Sequence, residues 1–339
     1  MEKMQEFIRR NPIWSLLIAI VAAIFLWLVF APWSAGMEEV MGRKRVFLNG
    51  IFGGITLGAL YFLVASGFTL IFGLMRNVNL AHGSLYLLGG YIGFEVSEAS
   101  GSWFLAFPVV FVVVAVVGIF LQNQVFRRME GEELRQTMVT IGLSVVIADL
   151  MLWRWGGQSY TIYAPDMLFG PMTLPVISSV RDSGEIVYLK YPAVRMAILF
   201  AAIVIGVGMW LVLNKTRLGM LVRAGVDDRE MLAASGVRIQ YVFLAVFAFG
   251  AGLAGMAGIV GGTFQSLSPG EDTRFLLASL VVVIVGGMGS IPGAAIGALV
   301  IGLSEQLGLI YAPTYSVVFT FLIMAAVLAF RPQGLLGRG

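Results

Sequence analysis

Residues 103–126 read WFLAFPVVFVVVAVVGIFLQNQVF, and no charged side chain occurs anywhere in this stretch. A hydrocarbon core of about 30 Å is crossed by roughly twenty apolar residues in an α-helix. The apolar residues run continuously and do not show the alternation typical of an outer-membrane β-strand. Because lipid offers no hydrogen-bond partners, a helix is the remaining way to satisfy the backbone polar groups. The stretch therefore predicts a membrane-spanning helix.

The composition extends this prediction to the rest of the chain. Of the 339 residues, 59% are hydrophobic and only 12% are charged, whereas a soluble domain has about a quarter charged residues. A soluble fold of this size has too little polar surface to cover so much apolar side chain. The basic residues behind the net charge of +3 are scattered between apolar runs, which indicates topology signals and no nucleic-acid-binding surface. The absence of cysteine excludes disulfides and thiolate metal sites.

The apolar runs predict an all-α polytopic membrane protein with about ten transmembrane or re-entrant helices. The predicted spans lie near 12–31, 46–74, 79–97, 103–126, 137–155, 191–213, 242–263, 274–290, 292–311 and 315–330. Residues 1–45 then form an N-terminal tail with an extra anchor helix, and 46–339 form the transmembrane domain. The span at 274–290 is short and ends in glycine, so a re-entrant segment is the alternative there.

The basic residues favour an N-terminus on the cytoplasmic side. With this orientation, most of the 22 basic residues fall in the inner segments 1–11, 75–78, 127–136, 214–241 and 331–339, as the positive-inside rule requires. The cluster Arg43, Lys44 and Arg45 opposes this assignment, since it would lie outside. Either the first helix is not a true span, or the cluster is tolerated beside Glu38 and Glu39.

The segment 214–241, NKTRLGMLVRAGVDDREMLAASGVRIQY, is the only long polar stretch on the predicted inner side. Asp227 and Asp228 suit the start of a short helix, where negative charge meets the positive end of the helix dipole, and Gly236 suits its end. Two interpretations stay open at this point. The segment is either an ordinary charged loop that helps to set topology, or a short helix that docks into a soluble partner.

Several motifs together resemble the LivH-type permeases of branched-chain amino-acid ABC importers. They are TRLGMLVRAGVDDREMLAASGV (216–237), AFGAGLAGMAG (248–258), VGGMGSIPGA (285–294) and FRPQGLLG (330–337), preceded by NGIFGGITLGALY (49–61) and NVNLAHGS (77–84). The similarity covers about 46–339 in the same order and spacing. It leaves the predicted anchor helix outside.

The resemblance implies a type II-like permease domain in the bacterial cytoplasmic (inner) membrane. Its implied partners are a homologous LivM-type permease, two ABC ATPase subunits and an extracytoplasmic solute-binding protein, and its cargo is a branched-chain amino acid or a related amino acid, urea, amide or small organic acid. The segment corresponding to 223–237 is the family's coupling helix, which sits in the ATPase cleft. The residues this assigns to ATPase coupling are Arg223, Asp227, Asp228, Arg229, Glu230, Ala233, Ala234 and Gly236.

The chain has no sequence signature of chemistry of its own. It has no G-x-x-x-x-G-K-[ST] phosphate loop, so we expect no cofactor on this chain and ATP with magnesium on the partner subunits. No nucleophile–base set appears, and a single histidine excludes a histidine metal cluster, so we expect a transport subunit and not an enzyme. The alternative is an ion-coupled secondary transporter that works without an ATPase, with Asp149 and Glu305 as candidate coupling residues.

Two further segments are candidates for the translocation pathway. Asn79, His82 and Ser84 lie at the start of a span, where polar groups should face the bundle interior or water. They either line the pathway or are ordinary structural residues. Ser84 stands where the similar permeases commonly have glutamate, which argues against a charge-based role at that position.

The second segment is 285–297, VGGMGSIPGAAIG, which is rich in glycine and broken by a proline. One interpretation is a tight helix–helix contact with a kink. The other is an interrupted helix whose backbone faces the pathway, with Gly286, Gly287 and Gly289 as lining residues. In a third interpretation, the outer end of the preceding span forms a docking rim for the binding protein through Glu271, Asp272 and Arg274.

Overall fold

The structure is a computed structural model that describes residues 27–31, 33, 36–38, 43–75, 78–129, 131–180, 185–227 and 229–337. These residues are mostly helical. The helices are α1 (Lys44–Met75), α2 (His82–Ser100), α3 (Trp103–Gln124), α4 (Glu133–Trp155), α5 (Ala193–Lys215), α6 (Arg217–Asp227), α7 (Arg229–Ala234), α8 (Ile239–Phe264), α9 (Glu271–Gly286), α10 (Ile291–Tyr311) and α11 (Ser316–Phe330). Short 3₁₀ turns lie at Phe126–Met129, Asp166–Leu168 and Pro313–Tyr315, and a two-stranded sheet pairs β1 (Pro171–Val180) with β2 (Ile186–Pro192).

Within the described residues, seven helices are long and apolar enough to cross a membrane. They are α1, α3 with the turn that follows it, α4, α5, α8, α10, and α11 with the turn that precedes it. The prediction of a helical, multi-pass membrane protein is confirmed, but the count of about ten spans is not. Helices α2 and α9 fall outside the seven, and α9 has only 16 residues, about 24 Å of helix. The predicted anchor helix at 12–31 lies outside the described residues apart from 27–31.

Contacts divide the described residues into two compact units. The first consists of residues up to Phe52 together with Pro171–Tyr191. Within it, the ring of Phe47 lies 5.2 Å from that of Trp33, and Ser178 donates a hydrogen bond to the carbonyl oxygen of Val187 across the β1–β2 hairpin.

The second unit, Gly53–Gly170 with Pro192–Gly339, is built around α8 and the greater part of α1. Most of each of these helices is buried inside the chain, whereas α3, α4, α5 and α11 bury little. Helix α8 is glycine-rich, and small residues let neighbouring backbones approach closely in a bilayer. A Cβ on Gly252 would lie 2.7 Å from the Phe111 ring on α3, and one on Gly255 would lie 2.8 Å from Val114. The glycines therefore set how closely α3 packs on α8.

The ends of the helices in this unit fall into two groups. One group brings together the end of α1, the helices α6 and α7, the turn between α9 and α10, and the C-terminal segment 331–337. The other brings together the end of α2, the start of α3, the end of α4 and the end of α8. We call the first group the inner ends and the second group the outer ends, after the orientation predicted from the basic residues, which stays a prediction.

Candidate functional site

The polar segment 214–241 forms two short helices and not one. Helix α6 ends at Asp227 and α7 begins at Arg229, so a helix starts next to the predicted position, and α6 is the helix that was not predicted. Asp228 lies outside the described residues. Helix α7 ends at Ala234, and Gly236 follows with φ of +85°, the left-handed conformation that ends many helices. The predicted helix stop at Gly236 is therefore confirmed.

Helix α6 packs against the inner end of α1, and α7 packs on α6. Val222 of α6 and Leu232 of α7 are buried, and a Cβ on Gly225 would lie 3.2 Å from the Leu74 side chain of α1. Arg223 donates a hydrogen bond to the carbonyl oxygen of Leu213 at the end of α5. A movement of α6 and α7 would therefore be passed directly to α1 and α5.

The opposite face of this pair points away from the chain. Met231 is 72% exposed, and Ala234 and Gly236 are exposed as well. For the remaining predicted coupling residues Asp227, Arg229, Glu230 and Ala233, the structure describes the helix but not the side chain. The segment thus has one face packed on the transmembrane helices and another that is accessible to a partner.

Helix α2 begins deep inside the bundle. Nε2 of its first residue, His82, lies 3.2 Å from the carbonyl oxygen of Val64, which is about 16 Å along α1 from its inner end. The imidazole is fully buried and packs edge-on against the Phe68 ring at 5.5 Å. The chain therefore re-enters the bundle before α2 starts, as in the discontinuous helices of other transporters.

The predicted polar residues around this helix start are all buried. Asn79 accepts a hydrogen bond from the backbone N–H of Ala81 at 3.0 Å, and Ser84 is directed at the Ser144 carbonyl oxygen on α4 at 3.4 Å. Among the described residues, Nδ1 of His82 and Nδ2 of Asn79 are buried atoms with no hydrogen-bond partner. Unsatisfied polar groups at this depth are costly, and they mark a place where water or a solute would be stabilised.

Helix α9 meets α2 at this depth. A Cβ on Gly83 would lie 2.8 Å from Cβ of Leu276 and closer still to the Asp272 carbonyl oxygen. The first turns of two helices outside the seven spanning ones therefore pack on each other inside the bundle.

The glycines at 286–289 lie in a packed junction on the inner side. Gly287 and Gly289 have φ of +107° and +79°, which allows the sharp turn from α9 into α10. A Cβ on Gly73 of α1 would lie 3.2 Å from Cα of Gly289. Leu335 and Leu336 of the C-terminal segment donate backbone hydrogen bonds, each 2.9 Å, to the carbonyls of Val285 and Gly286.

This junction corresponds to an interrupted helix whose end is capped by protein. The carbonyl groups of Val285 and Gly286, which α9 leaves without helical partners, are satisfied by the C-terminal segment. The turn therefore connects the ends of α1, α9 and α10, and a displacement of one would be felt by the others.

The structure contains an ion-pair network that the sequence did not predict. Arg274 of α9 lies 3.5 Å from Glu305 of α10, and Glu305 accepts a 2.6 Å hydrogen bond from Tyr61 of α1. The sequence predicts Arg274 as part of a docking rim and Glu305 as a candidate coupling residue of an ion-coupled transporter. No sequence signal joins them, since Tyr61 and Glu305 are 244 positions apart. A second ion pair joins α4 to α2, where Arg154 lies 2.6 Å from Glu95.

Comparison with known proteins finds similarity along most of the chain. A family model described as "Branched-chain amino acid transport system / permease component" matches residues 50–328. The high-affinity branched-chain amino acid permease LivH of Salmonella typhimurium strain LT2 is 28% identical over 304 residues, which are 86% of this chain and 96% of that protein.

Two other curated relatives show how far the similarity extends. The corresponding permease BraD of Pseudomonas aeruginosa is 27% identical over 86% of this chain and 96% of its own length. LivM, a permease of the Escherichia coli K12 branched-chain amino acid system, is 26% identical over 83% of this chain and 68% of its own length.

Proposed function

The chain belongs to the family of permease components of branched-chain amino acid transport systems, and on this premise we propose that it imports branched-chain or closely related amino acids. It is a multi-pass inner-membrane permease subunit of the ABC importer family. We propose that it pairs with a LivM-type permease in a type II-like assembly and receives its cargo from an extracytoplasmic binding protein. Two ATPase subunits would bind ATP and magnesium and supply the energy.

The observation that carries this proposal is the two-faced packing of α6 and α7. Gly225 of α6 faces Leu74 of α1 on one side of the pair, Leu232 of α7 packs on Gly225, and the other side presents Met231. A short helix with an exposed apolar side chain suits a groove on a soluble partner. The ATPase is the partner that this segment would contact.

The contacts suggest a route for the coupling. Closure of the ATPase subunits would displace α6 and α7, and Leu74 would pass that displacement to α1. Helix α1 contacts the α9–α10 turn through Gly73 and the start of α2 through Val64. A movement of α1 would thereby be transmitted to the middle of the bundle, where Asn79, His82 and Ser84 lie. We propose that the region around these residues forms part of the pathway and opens alternately to the two sides.

Retention of the ATPase during purification tests the contact. We expect Met231→Glu to reduce the ATPase that copurifies with the permease by about tenfold or more, since a charge placed in an apolar contact must be desolvated. Met167→Glu is the matched control, because Met167 is 75% exposed in the loop between α4 and β1. Equal ATPase retention by the two variants would contradict the assignment of α6 and α7.

A further inference from the structure

The ion-pair network on α1, α9 and α10 is more extensive than a single salt bridge. The Arg274 guanidinium lies 3.5 Å from Glu271 and 3.5 Å from Glu305, and it donates a 3.0 Å hydrogen bond to Gln265. The Tyr61 hydroxyl donates to the second oxygen of Glu305 at 2.6 Å. These contacts tie the three helices together through polar groups.

The network lies within the membrane-spanning part of the bundle. Glu305 is about 21 Å along α10 from its inner end at Ile291, and Tyr61 is about 21 Å along α1 from its inner end at Met75. The outer end of α10, at Tyr311, is about 9 Å beyond Glu305. The charges therefore lie in the outer half of a 30 Å hydrocarbon core, where charged side chains are expensive and face a bundle interior or a water-filled path.

The network is also unbalanced and open on one side. Two carboxylates, Glu271 and Glu305, share the single guanidinium of Arg274. Arg274 keeps 43% of its side chain exposed, Glu271 keeps 20% and Glu305 keeps 13%. Exposure of this kind at membrane depth is tolerated when it faces polar surroundings. The open side therefore offers one cationic group and a surplus of negative charge to a solute that moves along it.

An α-amino acid carries the complementary charges. Its carboxylate suits the planar guanidinium, which binds carboxylates through paired hydrogen bonds, and its ammonium group would balance the surplus carboxylate. The rings of Tyr61, Tyr86 and Phe275 pack beneath the charges, with centroids 5.9 Å apart for Tyr61 and Phe275 and 4.3 Å apart for Tyr86 and Phe275. These buried rings give the polar groups a rigid support.

We propose that Tyr61, Glu271, Arg274 and Glu305 form a transient contact site for the zwitterionic head group of the amino acid as it crosses the permease. This inference rests on the proposed function, because it requires an amino-acid cargo. It assigns a role in recognition to a permease whose cargo is first selected by a separate binding protein. The apolar side chain of the amino acid would make no ionic contact here, so the site would recognise only the charged head group.

The test uses the full importer reconstituted in proteoliposomes with leucine-loaded binding protein. Two quantities are measured: the ATP hydrolysis that the loaded binding protein stimulates, and the leucine transported per ATP hydrolysed. Glu305→Gln keeps the shape of the side chain and its hydrogen bond from Tyr61 but removes the charge. We expect it to lower leucine transported per ATP by about tenfold or more, while stimulated hydrolysis stays within about twofold of the wild type.

Glu95→Gln is the matched control, since Glu95 is also paired with an arginine, Arg154, at 2.6 Å but lies at the outer end of α2. We expect this variant to behave as the wild type. The inference is overturned if Glu305→Gln transports as the wild type does. It is also overturned if hydrolysis, transport and thermal stability fall together, since the network would then only hold the helices in place. Failure of the wild-type complex to transport any amino acid would instead contradict the proposed function.

Discussion

Replacement of Gly258 by alanine should loosen the crossing of α2 and α8. A Cβ at this position would lie 2.5 Å from the Gly90 backbone nitrogen and even closer to the Tyr86 carbonyl oxygen. Both are backbone atoms of α2, so no rotamer change can relieve the overlap. The helices must move apart by about 1.5 Å to reach ordinary contact, and overpacking of this kind costs about 1–3 kcal/mol.

The change is measured as the apparent melting temperature of the purified permease in detergent. Each kcal/mol shifts the melting temperature of a domain of 150–250 residues by about 2–4 °C, so we expect a loss of several degrees. Gly142→Ala on α4 is the control, because nothing lies within 4 Å of its Cβ position. Alanine favours a helix over glycine by about 1 kcal/mol, so the control should be unchanged or more stable. Equal effects of the two substitutions would refute the packing argument.

Three further changes have definite expected results. Gly236→Ala should lower the melting temperature, since a left-handed conformation costs an L-residue about 1–2 kcal/mol. Gly236→Asn should recover much of the loss. An alanine variant as stable as the wild type would contradict this. Removal of 331–339 should destabilise the chain by roughly 1 kcal/mol for each carbonyl left without its partner, including that of Val285, and an unchanged melting temperature would show that the segment does not cap α9. Trp103→Phe should cost about 1 kcal/mol by removing the 3.0 Å hydrogen bond to Thr263, and a stability equal to the wild type in thermal melts would count against that bond.

Local sequence features predicted much of the fold. The apolar runs located nine of the helices, because helix formation in lipid depends on length and hydropathy over neighbouring residues. The glycines at 286–289 predicted the break between α9 and α10, and Gly236 predicted the end of α7. The start of α7 was predicted near Asp227 and Asp228, but α6 before it was not, since Gly219 and Gly225 lower the helix propensity of that stretch.

Contacts between distant positions could not be predicted in the same way. The sequence did not show that the C-terminal segment caps α9, because that contact depends on where α11 ends relative to α9. Tyr61, Arg274 and Glu305 lie on three helices that are far apart along the chain, and their pairing depends on how those helices pack. The depth at which α2 begins also follows from packing, since Asn79 and His82 alone are equally typical of a helix start at the membrane surface.

Dependence of uptake on ATP hydrolysis tests the central claim most directly. Leucine uptake would be measured in proteoliposomes that contain this permease, its partner permease, the binding protein and ATPase subunits that are either active or unable to hydrolyse ATP. We predict uptake when the ATPase is active and ATP is present on the side of the membrane that the ATPase faces. With the inactive ATPase we predict no uptake, and collapse of the proton and sodium gradients should have no effect. Uptake that persists with the inactive ATPase and disappears when the gradients collapse would contradict the account and would identify an ion-coupled transporter.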